Sequence, residues 1–147
     1  MTSSKQFATF FLHGLFFGVD VLKVQEVIRY QEMTRVPLAP DTVHGLINLR
    51  GQIVTALDMR ACAGLTPRPE GQLPMNVVVR TDDGALSLLV DEIGDVVDVD
   101  DTQFEPVPDT LRGRAAETSS GVYKLPSQLL LALDVQKAVR VEAVVSA

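Results

Sequence analysis

Apolar runs along this chain are short and are broken at close intervals by turn residues, with few helical periods, so an all-β barrel or sandwich is the architecture it predicts. Two hairpins stand out. His13-Gly14 separates the aromatic run Phe7 to Leu12 from Leu15 to Val19. Thr81-Asp82-Asp83-Gly84 separates Val77 to Arg80 from Ala85 to Val90, and its Asp-Gly pair suits the positive φ angles of a tight turn. After the first hairpin, Asp20 stands at an N-cap position. Val21 to Gln25 then fit one or two helical turns before strand preference returns at Glu26 to Arg29, although the same residues also read as continuous strand.

The stretch Val36 to Arg60 carries a denser set of signals. Pro37 and Pro40 bracket an extended segment, Asp41 or Thr42 caps a predicted short helix reaching Leu46, and Asn48-Leu49-Arg50-Gly51 launches a strand over Ile53 to Met59. Ala61 to Leu73, with two glycines and two prolines, reads as a loop, and a linker is expected near 61–75. In Val90 to Val99 the residues Ile93, Val96, Val97 and Val99 keep one side apolar, with Gly94 at a bulge or bend. Phe104 to Pro108 is extended, Thr110 to Gly121 reads as a mobile loop, Leu129 to Val135 as a buried strand, and Gln136 onward as a short terminal helix. Strand-turn-strand units recur around Gly51 and Gly84, which suggests two lobes of about five strands. A lobe of ~70 residues is marginal alone, so the two should share an interface or exchange strands within a single domain spanning 1–147, with an ordered core over about 6–139.

Composition excludes several function classes. The net charge of -6 is unevenly spread: residues 1–80 carry +2 and residues 81–147 carry -8. No cluster of Lys and Arg exists to track phosphates, so neither a nucleic acid nor an anionic membrane surface is an expected partner. The acidic half reads as a solvated strand face, with a basic protein patch as the alternative. Cys62 is the only cysteine, which forbids an intramolecular disulfide and fits the cytosol. The run Phe7 to Val19 is interrupted by His13, Gly14 and Gly18 and has no small-x-small cleavage site, so it reads as strand material rather than a signal peptide. No run approaches the ~20 apolar residues of a membrane span, and direct membrane insertion is not expected.

Tests for chemistry are mostly negative. Cys62 with His44 lacks the context of a nucleophile and base, and a buried inert thiol is the simpler reading. His13 and His44 have no second ligand at zinc spacing. Starting a calcium loop at Asp98 puts Gln103 where the sharp turn needs Gly and Asp109 where Glu should close the site. The segment Gly45 to Gly51 lacks the Gly-Lys-Ser/Thr ending of a phosphate loop. Nineteen carboxylates leave acid-base pairing open, but catalysis is not expected, and neither a metal nor a cofactor is.

Glu26 in Val24-Gln25-Glu26-Val27-Ile28, Arg50 in Asn48-Leu49-Arg50-Gly51, the segment Phe17 to Lys23, Asp58-Met59-Arg60 and Val90 to Val96 together closely resemble the CheW family of bacterial chemotaxis coupling proteins, over about Gln6 to Val139. The resemblance implies two intertwined five-stranded SH3-like β-barrels with short helices, sharing a hydrophobic interface. It implies a non-enzymatic adaptor joining a CheA-type histidine kinase to the cytoplasmic tips of chemoreceptors in a membrane-associated array, and a monomer outside it. Residue by residue, Glu26 and Arg50 look like the family's acid-arginine pair, and Val24 like part of a groove between barrels where a receptor helix docks, with Val97 lining the same groove. Gly45 and Gly51 look like positions that keep turns tight beside the kinase-facing surface, and Asn48 belongs to the same motif. Ser87 departs from the Gly common in the family, Met59 replaces the Leu of its Asp-Leu-Arg motif, and Thr110 to Lys124 matches poorly. The competing readings are a coupler of a non-flagellar (twitching or developmental) pathway, a single-partner regulatory module, and a Cys62-dependent enzyme.

Overall fold

The protein is described by a computed structural model covering residues 4–82, 84–109, 113 and 117–138. Among the described residues eleven strands form two sheets. In chain order they are β1 (Ser4–Leu12), β2 (Leu15–Asp20), β3 (Val24–Ile28), β4 (Val43–Leu49), β5 (Gln52–Asp58), β6 (Met75–Thr81), β7 (Gly84–Val90), β8 (Glu92–Asp100), β9 (Phe104–Glu105), β10 (Ser119–Lys124) and β11 (Leu129–Leu133). Sheet A runs β8-β1-β2-β11-β10-β9 and sheet B runs β3-β6-β7-β5-β4. The chain therefore starts in sheet A, builds all of sheet B, and returns to complete sheet A. Sheet A has six strands where five were expected, because the two-residue β9 pairs with β10.

The turns form where the sequence places them. His13 and Gly14 both have positive φ (49° and 82°) between the paired Leu12 and Leu15, the geometry that matches strand twist in a two-residue hairpin. Asp20 caps a single turn of 3-10 helix over Val21–Lys23 by accepting from the Leu22 amide at 3.0 Å. β6 and β7 pair from Met75–Val90 to Thr81–Gly84. Of that turn, Asp83 lies outside the described residues, as do 110–112 and 114–116 of the expected loop and 139–147 of the expected terminal helix. Residues 135–138 are helical. The bulge foreseen at Gly94 is present as a register shift between β1 and β8.

The apolar residues sort into layers. Phe10, Leu12, Phe17 and Leu133 from sheet A meet Leu57, Val77, Val79, Leu88 and Val90 from sheet B in one core between the sheets. A second core, with Phe7, Phe16, Val99, Tyr123 and Leu130, belongs to sheet A alone. Strand alternation turns Val78 and Leu89, with Ile47, Val54 and Ala56, to the far face of sheet B, where all five are buried. Each sheet thus covers apolar groups on both faces, so it curls. In sheet B the curl brings Thr34, downstream of edge strand β3, onto edge strand β4, where Thr34 and Leu46 exchange two backbone hydrogen bonds of 2.9 and 2.8 Å.

Three local expectations are corrected. Residues 41–46 are not helical: Val43 begins β4, which pairs with β5 along its length. The cap signal at Asp41 and Thr42 loses to cross-strand pairing, for which the β-branched Val43 and Ile47 are better suited. The stretch near 61–75, expected to link lobes, instead joins β5 to β6 within sheet B, and it begins in a short helix, α1 (Met59–Cys62), capped by Asp58. Ser119, Ser120 and Gly121 belong to strand β10, not to a loop.

Candidate functional site

The site grows from the turn at Leu49-Arg50-Gly51-Gln52. Leu49 pairs with Gln52, so Arg50 and Gly51 are the two central residues, with φ of 53° and 85°. A left-handed backbone costs a non-glycine residue roughly 1–2 kcal/mol. Local partners offset it: the Asn48 side chain accepts the Gly51 amide at 3.0 Å. The turn projects the Arg50 guanidinium back toward β3, where Nη2 lies 2.9 Å from Glu26 Oε2. Because β3 and β4 are opposite edges of sheet B, this ion pair crosses the seam that the Thr34–Leu46 bridge also spans. The two partners differ in exposure. The Arg50 side chain is 82% exposed and that of Glu26 only 18%.

Gly45 is not a turn residue. It lies inside β4, where a Cβ would meet the Thr34 carbonyl oxygen at 2.7 Å. Its lack of a side chain lets the bridging segment approach, while Gly51 is required by backbone angle, with open space around it. Val24 packs against the core between the sheets, opposite Val79. Val97 packs against the core of sheet A and borders a cleft made wholly of sheet A residues and their connecting turn. The structure brings Glu26, Asn48, Arg50 and Gly51 together, while Val24 packs against the core between the sheets and Val97 against that of sheet A.

A second polar centre has no local signature in the sequence. Asp91, the residue between the last strand of sheet B and the first returning strand of sheet A, is gripped from three sides. Arg60 of α1 donates Nε at 2.9 Å and Nη2 at 2.5 Å, Arg68 donates Nε at 3.0 Å, and the His13 amide of the β1–β2 turn donates at 2.8 Å. The Arg60, Arg68 and Asp91 side chains are each under 10% exposed. Burial pushes the Asp91 carboxyl up, but the hydrogen bonds from Arg60, the His13 amide and Arg68 outweigh it and hold it below the usual carboxylate range. Arg60 is raised, first by its hydrogen bond to Asp91. The group ties the hairpin turn of sheet A to α1 and the loop of sheet B. Arg60 and Asp91 both lie in the motifs that carry the resemblance, but no local pattern announces that they meet.

Beside it, Arg35, Asp41, His44 and Asp58 line a polar pocket of about 250 Å³. Burial, then the charge of Arg35, lowers the His44 pKa against the opposing pull of Asp58. Cys62 is fully buried, as an inert core thiol should be. Among the described residues no three His, Cys, Asp or Glu groups converge as metal ligands, and no helix is long and apolar enough to cross a membrane. Ser87, the departure from Gly, is fully buried, and its Oγ donates to Asn76 Oδ1 at 2.7 Å while Asn76 Nδ2 donates to the Arg29 carbonyl at 3.1 Å.

Comparison with known proteins converges on one family. The model of the CheW-like domain matches residues 6–143. A chemotaxis protein CheW from Klebsiella aerogenes is 29% identical over 136 residues, covering 92% of this chain and 82% of the relative. One from Treponema pallidum is 27% identical, covering 90% and 80%. The crystal structure of the scaffolding protein TtCheW from Thermoanaerobacter tengcongensis superposes with a TM-score of 0.80 at 25% identity, covering 90% of each chain.

Proposed function

The chain belongs to the CheW family, a family of scaffolds and adaptors rather than enzymes, and from that premise we propose that it couples the cytoplasmic tips of chemoreceptors to a CheA-type histidine kinase. The observation that carries this reading is the family match over nearly the whole chain, in a fold whose two sheets offer two separate faces. A linker needs two faces. On sheet B, Glu26 holds an exposed guanidinium at the turn, with Asn48 and Gly51 fixing the backbone beneath it, and a guanidinium so presented suits bidentate contact with a partner's carboxylate. Val24 and Val97 serve as apolar contact positions, and Gly45 keeps the sheet B seam in place. In this reading the protein is a monomer outside the array and reaches the membrane only through its partners.

Co-sedimentation of the full chain with a receptor cytoplasmic fragment and the kinase tests the proposal. A ternary pellet is expected. Absence of that complex, and of both binary ones, overturns it.

A further inference from the structure

Strand β8 is an edge of sheet A, nine residues long, and among the described residues its outer side has no strand partner. An edge of that kind presents a row of backbone donors and acceptors to any extended chain, and proteins commonly guard against it with short edges, bulges, proline or charged side chains, above all lysine. β8 contains neither proline nor lysine. Its bulge lies near Gly94, and from Val96 to Asp100 the pairing with β1 is regular.

Next to this edge lies a cleft of about 420 Å³. Gly94 and Val97 of β8, Leu125 and Pro126 of the β10–β11 turn, and Phe11 and Phe16 are among the residues that line it. The cleft is the right size for one or two apolar side chains. The Val96 side chain is itself 55% exposed on the strand. Charge then selects the occupant. Glu92, Asp95 and Asp98 are exposed and form no ion pair among the described residues. A second copy of β8 would set carboxylates against carboxylates, which disfavours self-pairing, whereas Lys or Arg on an incoming strand would meet them favourably.

We propose that the β8 edge receives an extended, Lys/Arg-bearing segment of a partner protein, which adds to sheet A as a further strand and seats an apolar side chain in the cleft. The surface is distinct from the Glu26–Arg50 turn, which lies on sheet B, and shares Val97 with the contact positions of the proposed coupling role.

The probe is a proline-capped ten-residue peptide alternating Lys and Val, offered to the full chain beside a Glu/Val counterpart and a Lys/Val version N-methylated at alternate residues. Binding of the Lys/Val peptide is expected to slow amide exchange in β8 at least tenfold. N-methylation, or the double substitution Asp95→Lys with Asp98→Lys, is expected to weaken binding at least tenfold, and Val96→Lys severalfold. Circular dichroism checks that each variant is folded. No binding, protection that spares β8, equal binding of the N-methylated or the Glu/Val peptide, or unchanged affinity in the folded charge-reversal variant overturns the proposal.

Discussion

Arg50 crosses the seam of sheet B to meet Glu26 at 2.9 Å, with its own side chain largely in solvent and that of Glu26 largely covered. The asymmetry assigns different work to the two residues. Glu26 holds, and Arg50 is presented.

An ion pair with one exposed member contributes only ~0–1 kcal/mol, because water and salt screen it. Arg50→Ala is therefore expected to shift the melting temperature by no more than a few degrees while weakening receptor coupling at least tenfold in a kinase-stimulation assay. Glu26→Leu should follow the same pattern. Normal stimulation by both variants at normal abundance would show that the pair is only structural.

Asp91 is the opposite case. Removing it leaves the guanidiniums of Arg60 and Arg68 with little access to water and, among the described residues, only Asp58, 3.8 Å from Arg68, as a carboxylate beside them. Breaking a buried pair in this way costs about 3–5 kcal/mol, so Asp91→Ala should lower the melting temperature by roughly 6–20 °C. The pH dependence has a definite sign. Because the folded carboxyl is held below its unfolded value near 3.8, its contribution is complete above that pH and is lost as pH falls through the lower folded value. The wild-type chain should lose stability more steeply than Asp91→Ala below about pH 4. Parallel acid-melting curves for the two proteins would contradict the account.

Gly45 and Gly51 resist substitution for different reasons, and the difference can be measured. At Gly45 a methyl group meets the backbone oxygen of Thr34, which cannot rotate away. Gly45→Ala should cost about 1–3 kcal/mol by overpacking and speed amide exchange at Thr34 and Leu46 as their bridge opens. At Gly51 only the backbone angle objects, so Gly51→Ala should cost about 1 kcal/mol and Gly51→Asn less, since Asn tolerates a left-handed backbone. Rescue by Asn at position 45 as well would refute the steric explanation.

The same contrast marks what could be read from sequence. Hairpins at His13-Gly14 and between Thr81 and Gly84 announce themselves because turn chemistry is local, and Asp20 announces its cap for the same reason. Residues 41–46 mislead because a true local cap signal is overruled by pairing with β5, a partner no window of that length contains. Glu26 and Arg50 were paired by family resemblance, and their geometry agrees. The role of Asp91 has no local signature because its partners lie 31, 23 and 78 positions away and meet only when both sheets are assembled. Val24 and Val97, which the resemblance assigns to one groove, pack against different cores, Val24 between the sheets and Val97 within sheet A.

Ser87 sets the last test, since it places a hydroxyl in a fully buried position. An orphaned buried hydroxyl costs about 1–3 kcal/mol, and Asn76 prevents that by accepting from it. Asn76→Leu removes the acceptor while leaving the donor, so a loss of about 1–3 kcal/mol is expected in urea unfolding. Adding Ser87→Ala to that variant deletes the orphan and should recover about 1 kcal/mol, even though Ser87→Ala alone is destabilising in the wild-type background. The two substitutions should therefore be strongly non-additive. Additivity within about 0.3–0.5 kcal/mol would mean that the hydroxyl finds another partner, and that Asn76 matters only through its hold on the Arg29 carbonyl.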